Sequence, residues 1–426
     1  MPTYLVEGGR PITGEVRPAG NKNAALPALA AALLTDEEVV LDNVPDIGDV
    51  RTMLDVVRHF GAEADWSGPN QVRIRAAELR TVALDHRLAT RIRASILLAG
   101  PMLARTGRLE LPPPGGDVIG RRRVDTHLLA LARLGAHIDV GPPYVMQTTG
   151  LTGTDVFLDE PSVTATENAV MAAVLARGRT RLRNAAAEPH VQDLCHLLRA
   201  MGANIAGVGT NVLEIEGVDR LHGAHFRISS DHIEVGSFVA LAAVTRGALT
   251  IRDAAVPHLD STLLAFERLG IHCTKQNGDL HVAADQSLQV RTDAGGHIPK
   301  IDDGPWPAFP ADLTSIALVL ATQCRGTILI FEKMFESRMF FADKVIAMGA
   351  QIVLCDPHRA VVVGPSRLKG GTVESPDIRA GMALLIAALC AEGRSRIFNI
   401  GQIERGYERI DARLRLLGAR IERTEP

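Results

Sequence analysis

Apolar residues concentrate in alanine-rich stretches whose hydrophobic positions run around the whole helical circumference rather than along one stripe. Residues 168–176 read Asn-Ala-Val-Met-Ala-Ala-Val-Leu-Ala, and residues 236–246 and 382–391 follow the same rule. A helix without a polar face belongs in an interior. These stretches close on Gly178, Gly247 and Gly393, where glycine supplies a left-handed cap at no Cβ penalty. Strand-like residues follow: Thr180-Arg181-Leu182-Arg183, Leu249-Thr250-Ile251-Arg252 and Ser395-Arg396-Ile397-Phe398.

A second punctuation recurs six times, each time where a helical stretch runs into a strand. The copies are His59-Phe60-Gly61-Ala62, Arg133-Leu134-Gly135-Ala136, Ala200-Met201-Gly202-Ala203, Arg268-Leu269-Gly270-Ile271, Ala347-Met348-Gly349-Ala350 and Leu416-Leu417-Gly418-Ala419. Their glycines lie between 67 and 79 residues apart, by difference of their numbers. A repeat of that period covers nearly the whole chain and must be recognised before any local assignment. Each unit reads helix, strand, helix, strand, turn, strand. The turn is plainest at Gln276-Asn277-Gly278-Asp279, an Asn-Gly hairpin signal. Three such units around buried helices make one domain, and six make two.

Size agrees with that count, because 426 residues exceed one ordinary core and favour two domains. A net charge of −3 argues against a general nucleic-acid or membrane-surface binder. The five cysteines, Cys195, Cys273, Cys324, Cys355 and Cys390, are scattered without metal spacing and read as reduced structural thiols. No apolar run approaches the roughly 20 residues of a membrane span. The amino terminus has neither the basic nor the apolar region of an export signal. The expected location is the cytoplasm.

Chemistry sits where the repeats differ. Gly20-Asn21-Lys22-Asn23-Ala24-Ala25-Leu26-Pro27 brings a lysine and two asparagines to a helix start, a position that favours anions. Asparagine there is also an ordinary cap. Pro112-Pro113-Pro114-Gly115-Gly116-Asp117-Val118-Ile119-Gly120-Arg121-Arg122-Arg123-Val124-Asp125 is a loop carrying an acid and three arginines. Arginines suit phosphate and carboxylate recognition, although a solvated charged loop has the same composition. Ile92-Arg93-Ala94-Ser95, Phe309-Pro310-Ala311-Asp312, Ser375-Pro376-Asp377-Ile378-Arg379-Ala380-Gly381 and Glu404-Arg405-Gly406-Tyr407-Glu408-Arg409 each place an Arg or Asp at a helix entrance. Singly, any of them could be a surface salt bridge.

In order and context these segments resemble the enolpyruvyl transferase family, most closely its branch acting on UDP-N-acetylglucosamine. Lys22-Asn23-Ala24-Ala25-Leu26-Pro27, Arg93-Ala94-Ser95, Gly115-Gly116, Ile119-Gly120, Asp377-Ile378-Arg379-Ala380 and Arg405-Gly406-Tyr407-Glu408-Arg409 carry the likeness, which runs from about Leu5 to about Arg423. It implies an α/β fold of two pseudo-threefold domains of βαβαββ repeats, an inside-out α/β barrel arrangement. One domain would span residues 22–230, with the catalytic loop around Asp117. Residues 1–21 with 231–426 would form the other, and the active site would lie in the cleft between them.

The implied reaction moves the enolpyruvyl group of phosphoenolpyruvate to the 3-hydroxyl of UDP-N-acetylglucosamine and releases phosphate, the first committed step of peptidoglycan synthesis. It proceeds by addition and elimination through a tetrahedral phospholactoyl intermediate. No cofactor or metal is implied. The implied partners are the two small-molecule substrates, with no nucleic acid or membrane.

Carried over position by position, Lys22, Arg122 and Arg405 match cations that hold phosphoenolpyruvate and the intermediate. Arg93 and Arg379 match further arginines of that site. Asn23 matches a contact to the sugar nucleotide and intermediate. Asp312 matches the base toward the sugar hydroxyl, and Asp377 an acid near the cations that either orients an arginine or takes part in catalysis. Arg122, Arg123, Val124 and Asp125, with Ser162, Val163 and Met334, match uridine and sugar contacts.

The chain departs from the family pattern at several positions. Asp117 stands where many members have a cysteine. A carboxylic acid can deliver the same proton, best if burial raises its pKa, and it offers no thiol for fosfomycin to alkylate. Arg123 replaces a usual proline, Thr164 a usual glycine, His190 a usual acid and His232 a usual basic residue. Thr164 and Arg123 keep open a different uridine nucleotide as acceptor, of the nucleoside-antibiotic type. A non-catalytic sugar-nucleotide-binding paralogue is the other alternative, opposed by the presence of Lys22, Asp117, Arg122, Asp312 and Arg405. The shikimate-3-phosphate branch is disfavoured, because Gly20-Asn21-Lys22-Asn23 stands where that branch begins Gly-Ser-Lys-Ser.

Overall fold

All six repeat glycines adopt positive φ: Gly61 at 111°, Gly135 at 100°, Gly202 at 101°, Gly270 at 77°, Gly349 at 108° and Gly418 at 94°. In the computed structural model, which describes residues 2–116 and 123–425, each turn makes the same closing bond. The residue after the glycine donates its N–H to the carbonyl five residues back: Ala62 to Val57, Ala136 to Leu131, Ala203 to Leu198, Ile271 to Phe266, Ala350 to Val345 and Ala419 to Leu414. That is a Schellman cap, which needs the left-handed residue that only glycine adopts cheaply.

The described residues divide into two compact units, 20–116 with 123–229, and 2–19 with 230–425. The first unit holds three sheets around the buried helices Lys22–Ala31, Ala99–Thr106 and Val163–Ala173. In the second, three sheets surround His232–Val244, Thr314–Thr322 and Ile378–Cys390. Every residue of His232–Val244 and Thr314–Thr322 is buried, as an all-round apolar helix requires. The outer helices, such as Gly48–His59 and Pro189–Ala200, mix polar and apolar residues and bury one face. Among the described residues no helix is long and apolar enough to cross a membrane.

Five of the six sheets have four strands and one scheme. A strand runs parallel to its neighbour, which pairs antiparallel with one arm of a hairpin, as in Asp155–Phe157, Arg179–Arg183, Val212–Glu216 and Asn204–Ala206. The sheet of Arg108–Leu111, Tyr144–Gln147 and His137–Asp139 lacks the parallel strand and keeps a single bridge between Ala83 and Glu110. The scheme is completed by distant segments. Thr3–Glu7 takes the place of a hairpin arm in one four-stranded sheet, between Arg394–Phe398 and Arg420–Thr424. Gly14–Val16 supplies the parallel strand beside Leu249–Ile251, and Ala224–Arg227 the one beside Glu38–Asp42.

The Asn-Gly hairpin forms as expected, with Asn277 at φ 53° and Gly278 at φ 83° between Cys273–Gln276 and Asp279–Val282. Gly178 and Gly393 take their left-handed roles, at 84° and 89°. At the second stretch the expectation needs correction: Arg246, not Gly247, carries the positive φ, at 56°.

Candidate active site

Asp312 lies in the short turn Ala311–Leu313 that leads into a buried helix. Its two carboxylate oxygens face two different arginines. Arg338 Nη2 donates to Oδ1 at 3.0 Å, and Arg379 Nε donates to Oδ2 at 2.9 Å. Both guanidinium groups are buried, whereas Asp312 keeps 26% of its side-chain surface open. Arg338 is itself enclosed: its guanidinium stacks 4.9 Å from the Phe335 ring, and its Nε lies 3.8 Å from Glu332 Oε2. Glu332 is fully buried, and burial pushes its carboxyl up to about 8 even though Arg338 opposes the shift.

Arg379 enters the first turn of the helix Ile378–Cys390. Its guanidinium lies 5.4 Å from the centroid of the Tyr407 ring, whose hydroxyl is 3.1 Å from Ser237 Oγ. Buried Nη1 has no hydrogen-bond partner among the described residues. A guanidinium N–H left unspent in an interior is costly unless a ligand takes it. Asp377 proves to be the helix cap, accepting from the N–H groups of Arg379 and Ala380 at 2.8 and 3.0 Å. Among the described residues it pairs with no guanidinium, so the residue that orients Arg379 is Asp312. Arg405, half-buried, donates to Gln402 Oε1 at 2.9 Å. Met334 is exposed on the segment between Glu332 and Arg338.

The other unit carries the remaining expected residues. Asn21 caps Lys22–Ala31, accepting from Asn23 N at 2.8 Å and Ala24 N at 3.2 Å. It also donates its own N–H to Ser229 O. Lys22 Nζ donates to Asp49 Oδ2 at 3.1 Å, and the two side chains are only 12% and 7% exposed. Asp49 therefore fixes the ammonium of Lys22 and partly balances it. Arg93 Nη2 donates to the Arg123 carbonyl at 3.0 Å. The Gly115-Gly116 pair lies flat on the segment before Arg93. A Cβ on Gly115 would meet Thr90 O at 1.7 Å, and one on Gly116 would meet Arg93 Cβ at 2.7 Å.

Arg123 donates to Asp125 at 3.1 Å and to Asp159 at 3.4 Å, and Thr126 Oγ1 donates to Asp159 at 2.7 Å. Val124 precedes the helix Asp125–Arg133, and Ser162 caps Val163–Ala173 through a 3.4 Å bond from Ala165 N. Asp117 and Arg122 lie outside the described residues. Asp49, Arg338 and Glu332 were missed in the sequence, because each acts through space on a distant residue and has no motif of its own. Among the described residues no group of three or more His, Cys, Asp or Glu could hold a metal ion.

The chemistry of this arrangement is anion binding beside an oriented carboxylate. Known proteins place it in a family. The EPSP synthase (3-phosphoshikimate 1-carboxyvinyltransferase) model matches residues 6–414. A UDP-N-acetylglucosamine 1-carboxyvinyltransferase of Bradyrhizobium diazoefficiens is 60% identical over 420 residues, covering 99% of this chain and 97% of that protein. One from Treponema pallidum is 58% identical, covering 99% of both. Among solved structures, the enolpyruvyl transferase NikO from Streptomyces tendae superposes with a TM-score of 0.88 at 24% identity, over 100% of this chain and 99% of that one. An EPSP synthase from Acinetobacter baumannii gives 0.77 at 16% identity over the full length of both. The chain belongs to the EPSP synthase (3-phosphoshikimate 1-carboxyvinyltransferase) family, the enolpyruvyl transferases.

Proposed function

We propose that this enzyme transfers the enolpyruvyl group of phosphoenolpyruvate to the 3-hydroxyl of UDP-N-acetylglucosamine and releases phosphate. Full-length identity of 60% and 58% to relatives bearing that activity in their names supports the acceptor. The observation that carries the chemistry is Asp312, held by two buried arginines with 26% of its side-chain surface exposed. The reading extends to the first committed step of peptidoglycan synthesis, carried out in the cytoplasm.

Asp312 takes the proton of the sugar hydroxyl as its oxygen attacks C2 of phosphoenolpyruvate. Asp117 delivers a proton to the methylene carbon, which becomes a methyl group in the tetrahedral intermediate. Loss of a methyl proton and of phosphate then restores the double bond. Lys22, Arg93, Arg122, Arg379 and Arg405 hold the phosphate and carboxylate charges. Asn23 contacts sugar nucleotide and intermediate, and Asp377 presents Arg379 by capping its helix. Arg122 to Asp125, Ser162, Val163 and Met334 contact the nucleotide sugar. Residues 22–230 form one catalytic domain, and 1–21 with 231–426 the other.

Product analysis by proton NMR tests the reading. Vinyl signals of an enolpyruvyl ether on the sugar, with one phosphate released per ether, are expected. Hydrolysis of phosphoenolpyruvate to pyruvate without the ether would overturn it.

A further inference from the structure

Helices Asp125–Arg133 and Val163–Ala173 are joined by a side-chain relay whose proton positions follow from its ends. Gly100 N–H donates to Asn168 Oδ1 at 2.8 Å, and Asn168 Nδ2 donates to the Ile96 carbonyl at 2.7 Å. A backbone N–H only donates and a carbonyl only accepts, so the orientation of the amide is fixed. The second hydrogen of Nδ2 points to His127 Nδ1, 2.8 Å away. That nitrogen accepts and carries no proton, which leaves the ring proton on Nε2. Burial keeps the imidazole neutral by pushing His127 down to about 3.

His127 Nε2 lies 3.0 Å from Thr164 Oγ1, so the threonine accepts this bond. The hydroxyl proton of Thr164 remains. No acceptor for it exists among the described residues, and the side chain is only half-buried. Thr164 directly follows Ser162 and Val163, the expected nucleotide contacts.

We propose that Thr164 is a specificity-determining residue whose hydroxyl, aligned by Asn168 and His127, donates a hydrogen bond to an oxygen of the nucleotide acceptor. The inference rests on the function proposed above. The oxygen belongs either to a phosphate or to a uracil carbonyl, which share the required acceptor chemistry. The threonine then adds a contact at the position where the family usually has glycine.

Thr164→Val removes the hydroxyl at constant shape, and Thr164→Ser retains it. In steady-state assays of the full chain, Thr164→Val is expected to raise the KM for UDP-N-acetylglucosamine about tenfold. It should leave kcat within about twofold and the KM for phosphoenolpyruvate unchanged, with Thr164→Ser close to wild type. Calorimetric titration with UDP, UMP and uridine locates the oxygen. Weakening of UDP and UMP alone assigns a phosphate, and weakening of all three assigns the uracil. An unchanged acceptor KM in Thr164→Val would overturn the proposal, as would a fall in kcat that Thr164→Ser fails to restore. Absence of turnover in the wild type would defeat the functional reading instead. Weaker UDP binding by Thr164→Val would still uphold the donor.

Discussion

Asp312 and Arg379 form an ion pair through Oδ2 and Nε, 2.9 Å apart, in which the arginine is buried and the acid is partly open. The second oxygen of the same carboxylate is held by Arg338. Both oxygens of the carboxylate are thus held by guanidinium groups, while part of the side chain stays exposed. Asp312→Asn keeps the shape and removes the base. It is expected to lower kcat by about 10²- to 10⁴-fold while changing acceptor affinity only a few-fold, as read by steady-state kinetics beside calorimetry.

Arg338 has no motif yet fixes that base. Arg338→Met removes the buried guanidinium that donates to Asp312 Oδ1 and should destabilise the chain by about 1–3 kcal/mol. Arg338→Lys keeps the charge but loses the planar stack on Phe335. Expected are a lower melting temperature for Arg338→Met and a reduced kcat in both variants, Lys the milder. An unchanged kcat in both would remove Arg338 from the account.

Lys22 owes its position to Asp49. Lys22→Met is expected to reduce kcat/KM for phosphoenolpyruvate by about 10²- to 10³-fold, the scale seen on removing one charge-stabilising group. Asp49→Asn, which retains a hydrogen-bond acceptor, should reduce it less, about tenfold. Equal losses for the two variants would mean that the pair serves the fold alone.

Position 117 is an aspartate, which offers a carboxylic acid and no thiol. Intact-mass measurement after incubation with fosfomycin is expected to show no adduct on the wild type and one adduct on Asp117→Cys. Asp117→Asn, unable to release a proton, should lose turnover.

Two buried neutral histidines make acid stability readable. Burial pushes His127 and His232 down to about 3, from about 6.5 in an unfolded chain. Above pH 6.5 both states leave them neutral. Between 6.5 and 3 the unfolded chain binds protons that the folded chain refuses, so stability falls as pH falls, by up to about 1.4 kcal/mol per pH unit for each histidine. Glu332, raised to about 8, acts oppositely and favours the fold as pH drops from 8 toward the ordinary carboxylate range. The diagnostic is therefore a difference. The stability gap between wild type and His127→Gln in urea unfolding should narrow between pH 7 and pH 5.5, by about 1 kcal/mol. A constant gap would mean that His127 is not held neutral.

The six Schellman turns were legible because a left-handed residue is a local requirement that only one side chain meets cheaply. The all-apolar helices were legible for the same kind of reason, since their composition admits no other environment. Arg246 shows the limit, because the backbone put positive φ one residue earlier than the obvious glycine. Strand completion was not legible. Nothing in Thr3–Glu7 announces pairing with residues near the far end of the chain, a choice made by non-local burial. The candidate site divides likewise. Lys22, Arg93, Asp312, Arg379 and Arg405 stand in quotable segments, whereas Asp49, Arg338 and the Asn168–His127–Thr164 relay exist only once the helices are packed.

The most direct test is phosphate release from phosphoenolpyruvate measured against UDP-N-acetylglucosamine, UDP, UMP and shikimate 3-phosphate as acceptors. Release with UDP-N-acetylglucosamine at a kcat/KM at least about 10²-fold above the others is the expected result. Release with shikimate 3-phosphate or UMP instead, or with none of the four, would contradict the account.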